Sequence, residues 1–196
     1  MDLSDDLLDL MASSPRVARH VHAPLQSGCD AVLKRMKRRY RARHYADRIA
    51  RAHTLMPDAA YGADVMVGFP GETDEEFEES RAFIERMPFT YLHVFTYSER
   101  PSTPAAELPQ VPMPVRKQRN AVLRDLAARK NLEFRRSLVG TRVSVVTLEP
   151  GRPALSSNYI PVELASPREA NLIVDVEVGS VSPRGVAEAS LLSVLR

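Results

Sequence analysis

Between residues 19 and 97 the hydrophobic period switches repeatedly between two residues and about 3.6, a pattern few folds accommodate. Arg19 to Leu25 reads as an extended run closed by the turn Gln26-Ser27-Gly28. Val32, Leu33 and Met36 mark a short helix, and Tyr45, Ile49, Ala52 and Met56 mark a longer one stopped by Pro57. A strand through Ala63, Val65 and Val67 runs into the loop Gly68-Phe69-Pro70-Gly71. Thr73 with Glu76 is a capping-box signature for a helix that buries Phe77, Ile84 and Met87 and ends before Pro88. Tyr91 to Tyr97, aromatic and β-branched, is the next strand. Strand, helix, strand, helix, strand predicts a parallel sheet with crossover helices. A short amphipathic helix over 4–13, capped by Ser4 and with Leu7, Leu8 and Met11 on its apolar side, precedes it.

The pattern then changes. Residues 98–114 are a proline-rich connection, followed by a long charged helix with Val115, Val122, Leu123 and Leu126 on its apolar stripe, ending before Gly140. Residues 142–148, 155–164, 171–178 and 184–192 are short β-prone segments separated by Gly and Pro, the mark of a small all-β barrel. The predicted organisation is an α/β unit over 1–136 and a β-barrel over 137–196.

A hydrophobic fraction of 44% with 27% charged residues describes a globular protein. With no run approaching about 18 apolar residues and no signal-like opening, the expected location is the cytoplasm, with no membrane partner. The net charge is only +2, but its distribution is uneven. Lys34, Arg35, Lys37, Arg38, Arg39, Arg41 and Arg43 form one basic block. Arg116, Lys117, Arg119, Arg124, Arg129, Lys130, Arg135 and Arg136 form a second, and acids gather between Glu72 and Glu79. Such blocks suit nucleic-acid phosphates, or are simply solvated helix faces. One cysteine, Cys29, allows neither an intrachain disulfide nor a cysteine-built metal site.

Functional groups of a parallel α/β sheet collect where strands end. Gln26, with both donor and acceptor, reads a ligand edge or satisfies the loop backbone. Asp64 lies in a strand, where a carboxylate must grip hydroxyls or a cation or join a salt bridge. Gly68 and Gly71 let backbone approach a ligand, or serve a plain strand–helix turn. His20, His22, His44, His53 and His93 show no ligand-like spacing, so no metal role is expected of them.

In combination these segments are far more specific. Pro24-Leu25-Gln26-Ser27-Gly28, Lys37-Arg38-Arg39-Tyr40, Asp64 through Gly68-Phe69-Pro70-Gly71-Glu72-Thr73, and His93-Val94-Phe95-Thr96-Tyr97-Ser98 with Thr103-Pro104-Ala105-Ala106 resemble the radical-SAM tRNA methylthiotransferases. Ser157-Asn158-Tyr159-Ile160-Pro161-Val162 is similar to the signature strand of the TRAM domain, an RNA-binding barrel.

The resemblance implies the C-terminal half of a (β/α) radical-SAM barrel followed by a TRAM barrel. It implies S-adenosylmethionine and [4Fe–4S] clusters as cofactors and tRNA as partner. Leu92-His93-Val94-Phe95 and His22-Ala23-Pro24-Leu25-Gln26 look most like the branch that methylthiolates N6-threonylcarbamoyladenosine beside the anticodon; the alternatives are the isopentenyladenosine branch and a non-catalytic TRAM-type RNA-binding protein. Gln26, Arg38 and Asp64 then fall on S-adenosylmethionine contacts, with Ser27 and Gly68 in the same turns. Arg142, Arg152, Tyr159 and Arg184 become candidate RNA contacts, Tyr159 being either a core tyrosine or a stacking surface. Cluster cysteines are expected upstream, in an N-terminal portion of the same protein. Within this chain no catalytic residue, cluster ligand or activity of its own is expected.

Overall fold

The structure, a computed structural model, describes residues 3–190. The capped N-terminal helix is α1 (Asp5–Ser13), where the Leu7 amide donates to Ser4 Oγ at 3.2 Å. Leu8 is the residue it buries, while Leu7 stays exposed. The alternating region follows as β1 (His20–His22), α2 (Asp30–Arg35), α3 (Ala42–Leu55), β2 (Ala60–Val67), α4 (Asp74–Arg86) and β3 (Tyr91–Thr96). The strands form a parallel sheet in the order β1-β2-β3, as the periodicity predicts. Both halves of the Thr73/Glu76 capping box start α4.

Alternation along the strands gives the sheet two unlike faces. Ala63, Val65 and Val67 point into the main core with Tyr45, Ile49 and Ile84 from the helices. His20, His22, Asp64, His93 and Phe95 lie on the other face, where His22, His93 and Phe95 are exposed. Among the described residues, β1 and β3 each pair only with β2.

After a short 3-10 helix (Pro104–Glu107), α5 (Met113–Ser137) crosses β3. Its buried face differs from the predicted stripe: Arg116, Arg119, Leu123 and Leu126 are buried and Val122 is exposed. Leu123 and Leu126 join the main core, and on the same side one and two turns earlier stand two arginines. Arg116 donates to the carbonyls of Val111 (2.5 Å) and Tyr97 (3.1 Å), and Arg119 pairs with Glu72 and Asp74, each at 2.6 Å. Arg119 thus holds the Glu72–Asp74 end of the loop after β2 and Arg116 ties the end of β3 to the segment before α5, so these two members of the second basic block are not free for phosphates.

The described residues after α5 form a closed five-stranded barrel of β4 (Arg142–Thr147), β5 (Gly151–Ser156), β6 (Pro161–Arg168), β7 (Ile173–Val181) and β8 (Val186–Glu188), in the order β4-β5-β6-β8-β7. Val145, Val162, Leu164, Val178 and Val186 centre its own core. The expected strand over 155–164 is instead two strands joined by a turn. Ser156 Oγ accepts the Ile160 amide at 2.9 Å and lies 2.5 Å from Asn158 Oδ1, while Tyr159 adopts φ +60°. That local hydrogen bonding reverses a run whose composition alone reads as continuous β. The end of the last expected segment, 184–192, lies outside the described residues beyond 190.

Candidate functional site

The open sheet face carries the densest group of chemically able side chains. Parallel register places His22 beside Gly62 and Asp64 beside His93. Asp64 Oδ1 is thereby 3.2 Å from His22 Nε2 and 3.2 Å from His93 Nδ1. Tyr91 lies across the empty side of Gly62, where a Cβ would come within 1.8 Å of the ring. Its hydroxyl meets His22 Nδ1 at 2.9 Å and His20 Nε2 at 2.8 Å. Burial, with the neighbouring His22 adding, holds His20 below the usual histidine range; burial also pushes the Tyr91 phenol up to about 12, with Asp64 adding. Read along the chain, the histidines look scattered. Strand parity was the available signal: His20 and His22 share a face, and a parallel partner strand brings Asp64 and His93 onto it.

Beside this group lies the turn after β1. Gln26 has φ +69°, its amide donates to the Asp64 carbonyl at 2.8 Å, and its carbonyl accepts the Met66 amide at 2.9 Å. Gln26 and Asp64 are thus backbone neighbours across the strand ends. Ser27 is buried and its hydroxyl serves the turn, accepting the Cys29 amide at 3.2 Å near Ser80. Arg38 is exposed on the loop before α3. Gly68 adopts φ +70°; its amide donates to Glu72 Oε1 at 3.0 Å, and any Cβ would stand 2.5 Å from Arg116 Cγ.

The sheet face continues into a cleft of about 440 Å³ against the barrel, lined by His20, Tyr91, Arg135, Tyr159 and Arg184 among others. Tyr159 is 55% exposed and stacks on His20 with ring centres 4.2 Å apart, so it is no core residue. Asn158 Nδ2 reaches back to the Asp58 carbonyl at 3.2 Å, and Arg135 bonds the Ser182 carbonyl at 3.0 Å. Of the other arginines, Arg184 lines this cleft, Arg142 a second one beside Asn158, and Arg152 a groove on the barrel flank that Arg184 also borders. The structure therefore gathers Tyr159 with Arg184 and Arg184 with Arg152, and sets Arg142 on a different cleft.

A three-stranded parallel sheet whose strand ends carry a glycine-bracketed loop and a left-handed glutamine defines an α/β unit. Residues 1–84 match the radical SAM superfamily. A threonylcarbamoyladenosine tRNA methylthiotransferase MtaB of Rickettsia prowazekii is 40% identical over 163 residues, 83% of this chain and 38% of that protein. A tRNA-2-methylthio-N(6)-dimethylallyladenosine synthase 1 of Mycobacterium marinum is 38% identical over 192 residues, 97% of this chain and 36% of the relative. One named tRNA-2-methylthio-N(6)-dimethylallyladenosine synthase from Acidothermus cellulolyticus is 45% identical over 149 residues, 76% and 30% of the two chains. The chain is thus similar to these proteins over most of its own length and carries a radical SAM match in its first 84 residues, while it spans about two-fifths or less of the length of these relatives.

A cysteine-held cluster does not fit these 196 residues. Cys29 is the one cysteine, buried between Val32, Phe69 and Tyr97, and burial pushes its thiol up, away from the thiolate a cluster needs.

Proposed function

We propose that this chain contributes the S-adenosylmethionine-facing and RNA-facing parts of an enzyme that methylthiolates N6-threonylcarbamoyladenosine beside the anticodon of tRNA. The observation that carries this reading is similarity across 76–97% of the chain to proteins named as tRNA methylthio-modifying enzymes. Their names divide between threonylcarbamoyladenosine and dimethylallyladenosine at nearly equal identity, 40% against 38–45%. The threonylcarbamoyl reading therefore rests on the segments around His22 and His93. The dimethylallyl (isopentenyl) reading is the second, favoured by the 45% relative.

In this proposal Gln26, Arg38 and Asp64 hold S-adenosylmethionine. Asp64 accepts ribose hydroxyls, Arg38 offers a fork to the carboxylate, and Gln26 reads an edge of the nucleoside. Ser27 and Gly68 give shape to the two turns. The adjacency of Gln26 and Asp64 and the exposure of Arg38 support this set. When bound, S-adenosylmethionine supplies the radical and methyl chemistry, and this chain's residues orient it and shield it from water. The units over 1–136 and 137–196 divide the work, the second being a TRAM barrel. Tyr159 and Arg184 meet the nucleotide nearest the sheet, while Arg142 and Arg152 meet phosphates further out.

The test is deletion of the gene encoding this chain, with mass spectrometry of digested tRNA. Loss of 2-methylthio-N6-threonylcarbamoyladenosine is the expected result. Loss of the isopentenyl counterpart alone would transfer the proposal to the second reading, and unchanged nucleosides would leave only RNA binding.

A further inference from the structure

The His22–Asp64–His93 group has a spacing that serves a metal site as well as a hydrogen-bonded triad. Charge-assisted N–H···O⁻ bonds run at about 2.7–2.9 Å. Here one carboxylate oxygen stands 3.2 Å from an imidazole nitrogen on each side. Ligands held at about 2.0–2.2 Å from one ion lie roughly 3.0 Å apart at right angles and roughly 3.4 Å apart in a tetrahedron. The two Asp64–histidine distances fall between these values, and all three ligand atoms lie within 4.8 Å of one another.

The scaffold also fits. Each ligand comes from a different strand of one sheet, so their relative positions are fixed by backbone hydrogen bonding. Side-chain exposures of 30% for His22, 26% for Asp64 and 57% for His93 leave the outward side to water. His22 faces Asp64 through Nε2 and Tyr91 through Nδ1, the arrangement in which an outer partner fixes the tautomer of a ligating histidine. Gly62 provides the bare backbone on which Tyr91 lies to make that contact.

We propose that His22, Asp64 and His93 bind one divalent first-row transition metal ion, with water completing its coordination. Two imidazoles and a carboxylate select zinc, cobalt, nickel or ferrous iron over magnesium or calcium. The inference rests on the geometry of this chain and requires neither S-adenosylmethionine nor a cluster; it is a second use of the Asp64 carboxylate, for which the ion and the ribose hydroxyls proposed above would compete.

The test uses the tag-free, metal-stripped chain titrated with cobalt(II), followed by visible absorption and calorimetry. One equivalent should bind. Binding should be lost in His93→Ala and His22→Ala, retained in His44→Ala and His53→Ala, and weakened about 10- to 100-fold in Tyr91→Phe, as expected for loss of an outer partner. Circular dichroism checks each fold; should His22→Ala unfold, the more exposed His93→Ala carries the comparison. Absence of binding, or binding indifferent to His93→Ala and Asp64→Asn, would overturn the proposal and leave the three as a hydrogen-bonded group.

Discussion

At the scale of single residues, Arg119 carries more of the fold than its place in a basic run implies. Its guanidinium is 6% exposed and lies 2.6 Å from Glu72 Oε1, itself 3% exposed. Burial pushes the Glu72 carboxyl above its ordinary value, against the pull of the Gly68 amide and of Arg119. A carboxyl raised on folding contributes stability that is fully present below its unfolded pKa of 4.5 and declines as pH rises through the folded value. Arg119→Met removes the compensating cation, so the variant should lose about 3–5 kcal/mol near neutral pH. The deficit should shrink toward acid, where Glu72 takes up its proton. Urea melts of both proteins between about pH 5 and pH 8 measure it, and a pH-independent deficit would count against an uncompensated Glu72. None of this was legible in the sequence. Charge patterning sees arginines three or four residues apart, and only the packed loop reveals which of them face inward.

At the scale of elements, the alternating region was legible because each local signal agreed with the others. Thr73 with Glu76, the stop at Pro57 and the Ala63-Val65-Val67 alternation each reappear in the structure. The long helix α5 was legible in extent but not in orientation. Its apolar residues are few, and Val122 beside Leu123 leaves two stripes open to a periodicity argument. The structure selects Leu123, 0% exposed, over Val122, 37% exposed. Leu123→Ala should therefore cost about 2–5 kcal/mol through an unfilled cavity. Val122→Ala should stay within roughly 0.5 kcal/mol. Equal costs in chemical denaturation would mean that α5 is rotated from the position described. The candidate metal group belongs to this scale too: it needs three strands in register, and register is what a single sequence leaves unspecified.

For the whole molecule, a net charge of +2 conceals a strong separation. The acids of α4 and its approach are largely spent on arginines: Glu72 and Asp74 on Arg119, Glu76 on Arg35, and Glu78 and Glu85 on Arg81. Lys34, Lys37, Arg38, Arg39 and Arg43 are exposed and pair with no acid among the described residues. Five of the seven residues of the first basic block therefore keep their charge facing outward, with Arg35 and Arg41 paired to Glu76 and Asp30, while the second block is partly consumed in holding the fold. If RNA binding follows charge, the first block should dominate its salt dependence, since each neutralised phosphate contributes about 0.7–0.9 to the slope of log affinity against log salt. Replacing Lys34, Lys37 and Arg39 together by alanine should flatten that slope by up to about 2–3 for tRNA. Arg81→Ala should leave it unchanged, because Arg81 is already committed to Glu78 and Glu85. Fluorescence titrations at several salt concentrations separate the cases: an unchanged slope in the triple variant would place the phosphate contacts on the barrel arginines instead, and with them the path of the RNA.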